Sequence, residues 1–343
     1  MAVFFQSTDL GTDERREIAI SYGTIIGTSL LSLIICGARL YTRAFVIRAF
    51  GTDDWACLVA LAFTTSFNGI GVAVVANGAG RHGTHVSGSE LALWFKLYYA
   101  CACSNVTIAL VVKASLLLYF RRLFPTPYLQ RYIPGFLLFL VLLTIPFTLV
   151  DAFQCTPPQY VYELQFLAAA DRAQHCLPAN TVYIIFLFQG VLFFVIDVAI
   201  LLLPVPVIWS LQIQRHKSAL VLLIFVPAVI ACAAPAFRLR GLEFLKNRDS
   251  DITYYSASAL YWQSIEYNLG MMAGSLGCLK PLFKKMSMIG EEYLHNHNFS
   301  SSHSLNDMHT SPRNRGSGLR ARGDSILLHT DPSSYSVIDD TGV

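Results

Sequence analysis

Charge is what this sequence has least of. Asp, Glu, Lys and Arg make up only 14% of its 343 residues, against about a quarter in soluble domains. Histidine is missing from every long apolar run. All nine, at 82, 85, 175, 216, 295, 297, 303, 309 and 329, fall in connections or in the tail. An intramembrane metal hydrolase needs histidines facing the bundle interior, so that chemistry has no ligands here. No nucleophile stands beside a base, no glycine-rich phosphate loop appears, and no basic surface suited to nucleic acid is present. The first residues lack a basic leader ahead of an apolar core, so the first span is expected to act as its own insertion signal.

What the chain has is apolar length. Hydrophobic residues reach 54% and the mean hydropathy is +0.49, which implies a helical protein crossing a bilayer several times. The central run is 94–122, WFKLYYACACSNVTIALVVKASLLLYFRR, with Lys113 deep inside and Arg121 and Arg122 at its end. A lysine inside a span costs a few kcal/mol unless it snorkels or finds a partner. The other spans are read at 18–41, 55–76, 133–153, 180–203, 218–237 and 257–279, the fourth kinked or opened at Pro146. Asp53 or Thr52 can cap the second helix, and Asp54 suits the positive end of its dipole.

The fold expected is therefore an all-α membrane protein, a seven-transmembrane helix bundle. Lysine and arginine gather in the loops after the first, third and fifth spans and after the seventh, which places the N-terminus outside and the C-terminus in the cytosol. The organisation follows: an extracellular segment 1–17, the bundle 18–285, and a cytosolic tail 286–343. The tail is rich in Ser, Asn, His, Asp and Gly and is expected to be disordered. It carries phosphorylation motifs at Ser311 and Ser325, and Asp324-Ser325-Ile326-Leu327-Leu328 has the form of an acidic dileucine signal.

Most of the eight cysteines lie inside apolar runs and read as small hydrophobes. Cys155 and Cys176 lie in the polar loop before the fifth span, on the side assigned outside, and are expected to form a disulfide. The competing arrangement ties one of them to Cys101 or Cys103. Asn105-Val106-Thr107 and Asn298-Phe299-Ser300 are sequons, one inside a span and one in the tail, so neither is expected to be glycosylated.

At FGTDDWACLVA, KASLLLYFRRLF, FQCTPP, HCLP, LLLPVPVIWSLQ and FRL followed by DITYYSASALYWQSIE, the chain resembles the fungal rhodopsin-domain family. These are seven-span membrane proteins of filamentous fungi, many described as receptors of the G-protein-coupled type. The matching positions are Gly51, Asp53, Asp54, Lys113, Ser115, Tyr119, Arg121, Cys155, Pro157, Cys176, Asp197, Pro204, Pro206, Arg238, Asp251, Trp262 and Glu266. The resemblance implies topology strongly and chemistry weakly. Retinal binding needs a lysine deep in the seventh span, and 257–279 has none. No cofactor is expected.

Two intramembrane pairs are expected: Lys113 with Asp197 toward the cytoplasmic side, and Arg238 with Glu266 in the outer half. The first reads as a salt bridge fixing helix register ahead of a switch broken on activation, and the second as such a bridge or as a pair that a charged ligand would compete with. Asp53, Asp54, Arg121 and Arg122 form the expected cytosolic coupling surface, while His82 and His85 are expected to be solvated. The leading function is a receptor-like sensor, not an enzyme, in the plasma membrane. It would join an unknown extracellular ligand to a G protein or other cytosolic partner. A transporter or channel is the alternative, though no internal repeat supports it, and a membrane enzyme comes third.

Overall fold

A computed structural model describes residues 11–124, 126–167, 172–206, 226–238 and 251–279. Its long helices are α1 (Thr12–Tyr41), α2 (Thr52–Ala76), α3 (Gly88–Leu123), α4 (Pro127–Ala152), α5 (Ala179–Leu202), α6 (Val226–Arg238) and α7 (Ile252–Leu276). A π-helical stretch, Thr42–Val46, continues α1. Single helical turns at Gln159–Tyr162, Leu164–Leu167 and Arg172–His175 fill the α4–α5 connection. Among the described residues five segments, Thr12–Val46 and α2 to α5, are long and apolar enough to cross a bilayer. Helices suit that setting because each backbone N–H and C=O finds its partner within the segment.

The helix starts follow from sequence. Ser87 caps α3: its Oγ accepts from Glu90 N at 3.4 Å, and Glu90 Oε2 accepts from Ser87 N at 3.1 Å. At α2 the cap is Gly51, and Asp54 Oδ2 accepts from Gly51 N at 3.0 Å. α4 begins with Pro127, whose missing N–H costs nothing in a first turn. It runs on as one helix through Pro134 and Pro146, where the sequence suggested an opening.

Large side chains on α1, α4 and α5 stay bare, among them Ile34 at 67% exposed and Leu142 at 61%. Such faces are stable against lipid rather than water. The interior forms two clusters. Ile25, Phe67, Val74, Trp94, Ile108, Tyr267 and Met271 join α1, α2, α3 and α7. Val106, Leu117, Phe120, Ile133, Leu140, Phe193 and Ile196 join α3, α4 and α5. Only α3 supplies both, so it is the middle of the bundle. α7 approaches it closely: a Cβ on Gly270 would lie 3.2 Å from Val112 Cγ1, the small-residue contact typical of helices packed in membranes.

One end of the bundle is closed by two devices. Cys155 and Cys176 are disulfide-bonded, and around them Thr156 N donates to His175 O at 2.8 Å and Leu177 N to Gln154 O at 2.9 Å. The pairing expected from the loop cysteines is the one found. Second, the α2–α3 connection is clasped to the starts of α1 and α7. His82 Nδ1 lies 2.6 Å from Asp251 Oδ2, and His85 Nδ1 lies 3.0 Å from Glu14 Oε1, which also accepts from His82 N at 2.7 Å. The His82 ring stacks on Tyr254 at 4.7 Å. These histidines were expected to be merely solvated. Their rings are only half-exposed and carboxylate-bound, because residues 14 and 251 are far apart in sequence and meet only in the fold.

The disulfide spans a sequence separation of 21, and closing a loop of that length restricts the unfolded chain by roughly 3 kcal/mol. Cys155→Ser and Cys176→Ser are expected to lower thermal stability alike, and the double variant no further. Non-reducing peptide mapping should give a 155–176 cross-linked peptide, and a peptide joining either residue to Cys101 or Cys103 would contradict this pairing.

Candidate functional site

The face of α3 that looks into the bundle reads Trp94, Tyr98, Cys101, Asn105, Ala109 and Lys113, a spacing of three and four that brings one helical side into register. Its first part lines a cavity and its last residue enters a layer of charge.

In that layer Lys113 Nζ lies 2.7 Å from Asp197 Oδ1 on α5 and 3.7 Å from Glu266 Oε1 on α7. Glu266 Oε2 lies 3.7 Å from Arg238 Nη1 on α6. Sequence reasoning put two pairs at two depths. The structure places all four groups in one chain, Asp197–Lys113–Glu266–Arg238, because Glu266 reaches both cations. The layer is largely buried: the Lys113 and Glu266 side chains are 6% and 7% exposed, those of Arg238 and Asp197 14% and 15%. Lys113 Nζ also sits over the Phe193 ring at 5.6 Å, and a void of about 50 Å³ lies beside the cluster. Asp197 Oδ2 has no partner among the described residues, and a void this size has room for a water there.

Above it, toward the disulfide, a cavity of about 260 Å³ is lined by Phe67, Trp94, Phe95, Tyr98, Tyr99 and Phe186, with Asn105, Gln154, Gln189, Gln263 and Arg238 as polar wall. Arg238 therefore belongs to both cavity and charge layer. Amides continue the polar lining: Tyr267 Oη donates to Asn105 O at 2.7 Å and also to Asn105 Oδ1, and Gln189 Nε2 donates to Asp151 Oδ2 at 3.2 Å.

At the opposite end a second balanced cluster appears. Arg39, 1% exposed, donates from Nη2 to Asp53 at 2.9 Å, from Nε to Asp54 at 3.3 Å and from Nη1 to Gly274 O at 2.8 Å. Its guanidinium lies 5.0 Å from the Tyr119 ring centroid. Arg122 Nη1 donates to Asp53 Oδ1 at 2.6 Å and Asp54 Oδ2 at 3.2 Å. Asp53 and Asp54 were expected on a coupling surface. They are buried instead, since two arginines on α1 and α3 converge on them. Arg121 points away and donates to Gln130 Oε1 at 2.8 Å on the exposed side.

Sequence reasoning missed Arg39, although a cation inside the first apolar run carries the same signal as Lys113. It also treated Asn105 only as a sequon. Among the described residues no group of three or more His, Cys, Asp and Glu could hold a metal ion. Ser311 and Ser325 lie outside the described residues.

Removing one member of a buried ion pair strands its partner and costs about 3–5 kcal/mol. Lys113→Ala or Asp197→Ala alone should lower folded yield and thermal stability, and the double change should recover part of the loss. Strictly additive losses would mean the side chains do not couple. Arg39→Ala should likewise cost several kcal/mol, whereas exposed Arg121→Ala should change stability by roughly 0.5 kcal/mol or less. Thermal unfolding in one detergent compares all five variants.

The sequence model of the family described as fungal rhodopsin domain matches residues 38–285, a stretch holding both charge clusters. The chain is 24% identical to "Polyenoic acids biosynthesis gene cluster protein Ba17b" of Metarhizium anisopliae over 270 residues, 75% of this chain and 72% of that one. It is 29% identical to "Fugralins biosynthesis cluster protein 2" of Gibberella zeae over 147 residues, 43% of this chain and 35% of that protein. "Receptor GIN3" of Arthrobotrys oligospora is 22% identical over 282 residues, 78% of this chain and 63% of the receptor. No solved structure matches. With most of the bundle covered by the family's match, the chain belongs to the fungal rhodopsin domain family.

Proposed function

We propose that this is a seven-span receptor of an extracellular small molecule, with its N-terminus outside, its C-terminal segment in the cytosol, and no retinal. The observation that carries the reading is the shared residue: Arg238 lines the cavity and also ends the charge chain that crosses the bundle. A molecule that competes for Arg238 takes one of the two cations from Glu266 and leaves that carboxylate to Lys113 alone on the central helix. Lys113 itself is salt-bridged to Asp197, which leaves it ill placed for a Schiff base. The partner assigned to the inner end is a G-protein α subunit or another cytosolic signalling protein, contacting the exposed surface around Arg121. The printed name of one relative, a receptor, supports this reading. Two named for biosynthesis clusters suit a protein whose ligand is a small metabolite. The plasma membrane is the setting the proposal requires.

Two measurements check it. A tag at the N-terminus should be accessible on intact cells and one after Val343 should not, and both ends on one side would contradict seven spans. Binding of a G-protein α subunit to the protein in nanodiscs should depend on cavity occupancy, and Arg121→Glu should weaken it at least tenfold without moving thermal stability. Substrate flux in proteoliposomes with no such binding would instead identify a transporter.

A further inference from the structure

We propose that the cavity at the disulfide end is a site for a small aromatic carboxylate, its ring system held in the aromatic box and its carboxylate on Arg238. This names the ligand class of the receptor proposed above and rests on that reading.

The wall composition selects the ring. Phe67, Trp94, Phe95, Tyr98, Tyr99 and Phe186 surround one space. Trp94 and Tyr98 stack on each other at 5.0 Å with an interplanar angle of 8°, so flat surfaces are prearranged for another flat ring. At about 260 Å³ the space is just below the roughly 300–1,000 Å³ usual for small-molecule sites, which favours a compact bicyclic molecule over a long chain.

The charge selects the acid. Among the described lining residues Arg238 is the only charged one, and no carboxylate shares the wall with it. Its pairing with Glu266, at 3.7 Å, is too long for a hydrogen bond. Among the described residues no closer carboxylate engages the guanidinium, whose fork matches a carboxylate in geometry. Burial makes such a contact strong, because water competes poorly there.

Two polar atoms of wall residues, Trp94 Nε1 and Gln189 Oε1, have no partner among the described residues but are closed off from the cavity. The aromatic faces and the Arg238 guanidinium therefore carry the recognition.

The test uses the full chain in nanodiscs and equilibrium dialysis, with empty nanodiscs subtracted. The probes are 6-hydroxy-2-naphthoate, its uncharged methyl ester, and decanoate as an aliphatic acid that would come from lipid. Saturable binding of 6-hydroxy-2-naphthoate is expected, at least tenfold tighter than either comparison compound. Arg238→Gln should weaken the naphthoate at least tenfold while leaving the ester unchanged, and Arg238→Lys should fall between. Trp94→Phe should weaken it severalfold. Should Arg238→Gln fail to fold, the acid-to-ester ratio on the unaltered protein still decides. Equal binding of acid and ester, decanoate binding as tightly as the naphthoate, or no saturable binding would each overturn the proposal. A naphthoate that binds as expected but leaves G-protein α-subunit binding unchanged would overturn the receptor reading alone. An α-subunit response to the ester and not the acid would overturn the ligand class alone.

Discussion

A charge held among hydrocarbon has to be neutralised by something within reach, and that constraint organises this bundle. Two clusters meet it in the same way, each with two cations and two carboxylates. Lys113 and Arg238 face Asp197 and Glu266, while Arg39 and Arg122 face Asp53 and Asp54. Neither set is complete on one helix. The charges of the first come from α3, α5, α6 and α7, and those of the second from α1, α2 and α3. Each helix therefore needs its neighbours to lower the cost of its own charge, and assembly is specified by electrostatics where lipid supplies no hydrophobic drive between helices.

α3 carries one cation of each cluster, Lys113 and Arg122, about 13 Å apart along a helix rising 1.5 Å per residue. Just before Lys113 it packs against one half of the core through Val112, and between the two cations against the other through Leu117 and Phe120. α7 runs beside it and touches both clusters too, with Glu266 in one and the Gly274 carbonyl in the other. Polar contacts fill the interval: Asn268 Nδ2 donates to Thr28 Oγ1 at 3.0 Å and Asn68 Nδ2 donates to Asn268 Oδ1 at 3.2 Å. Every one of these residues would be a liability facing lipid, and inside they fix register.

Span positions were legible because apolar length is a property of the local sequence. The start of α5 falls within a residue of where composition places it, and that of α2 three residues earlier than expected. The loop disulfide was legible as well, since Cys155 and Cys176 are the cysteines that lie outside apolar runs. Depth was harder. Counting residues from helix ends gives Lys113 and Glu266 different levels, but helices do not enter and leave at one plane, and both side chains are long enough to close the gap. The coupling surface drawn at Asp53, Asp54, Arg121 and Arg122 failed for a related reason. Adjacent arginines point about 100° apart on a helix, so Arg122 turns in to the aspartates and Arg121 turns out. Arg39 was overlooked although it lies inside the first apolar run as Lys113 lies inside the third. The cavity required the fold itself, because its aromatics come from three separate helices.

These attachments are unequal in strength. α3 and α7 approach within 3.2 Å of Cβ contact at Gly270 and share Tyr267 to Asn105 hydrogen bonding, so they are poorly placed to slide past each other. Among the described residues α6 is tied to that pair by less: the long Arg238–Glu266 contact at 3.7 Å and the stacked Phe237–Trp262 rings at 4.6 Å. A group that takes Arg238 from Glu266 removes the ionic half of that attachment, and Glu266 keeps Lys113. The free energy such a group can deliver is bounded by how differently it binds the two arrangements. A long, partly satisfied ion pair is the kind of contact that a modest difference can outweigh, whereas the 2.7 Å Lys113–Asp197 bond is not. The bundle thus sets a weak ionic contact at the cavity wall and a strong one behind it.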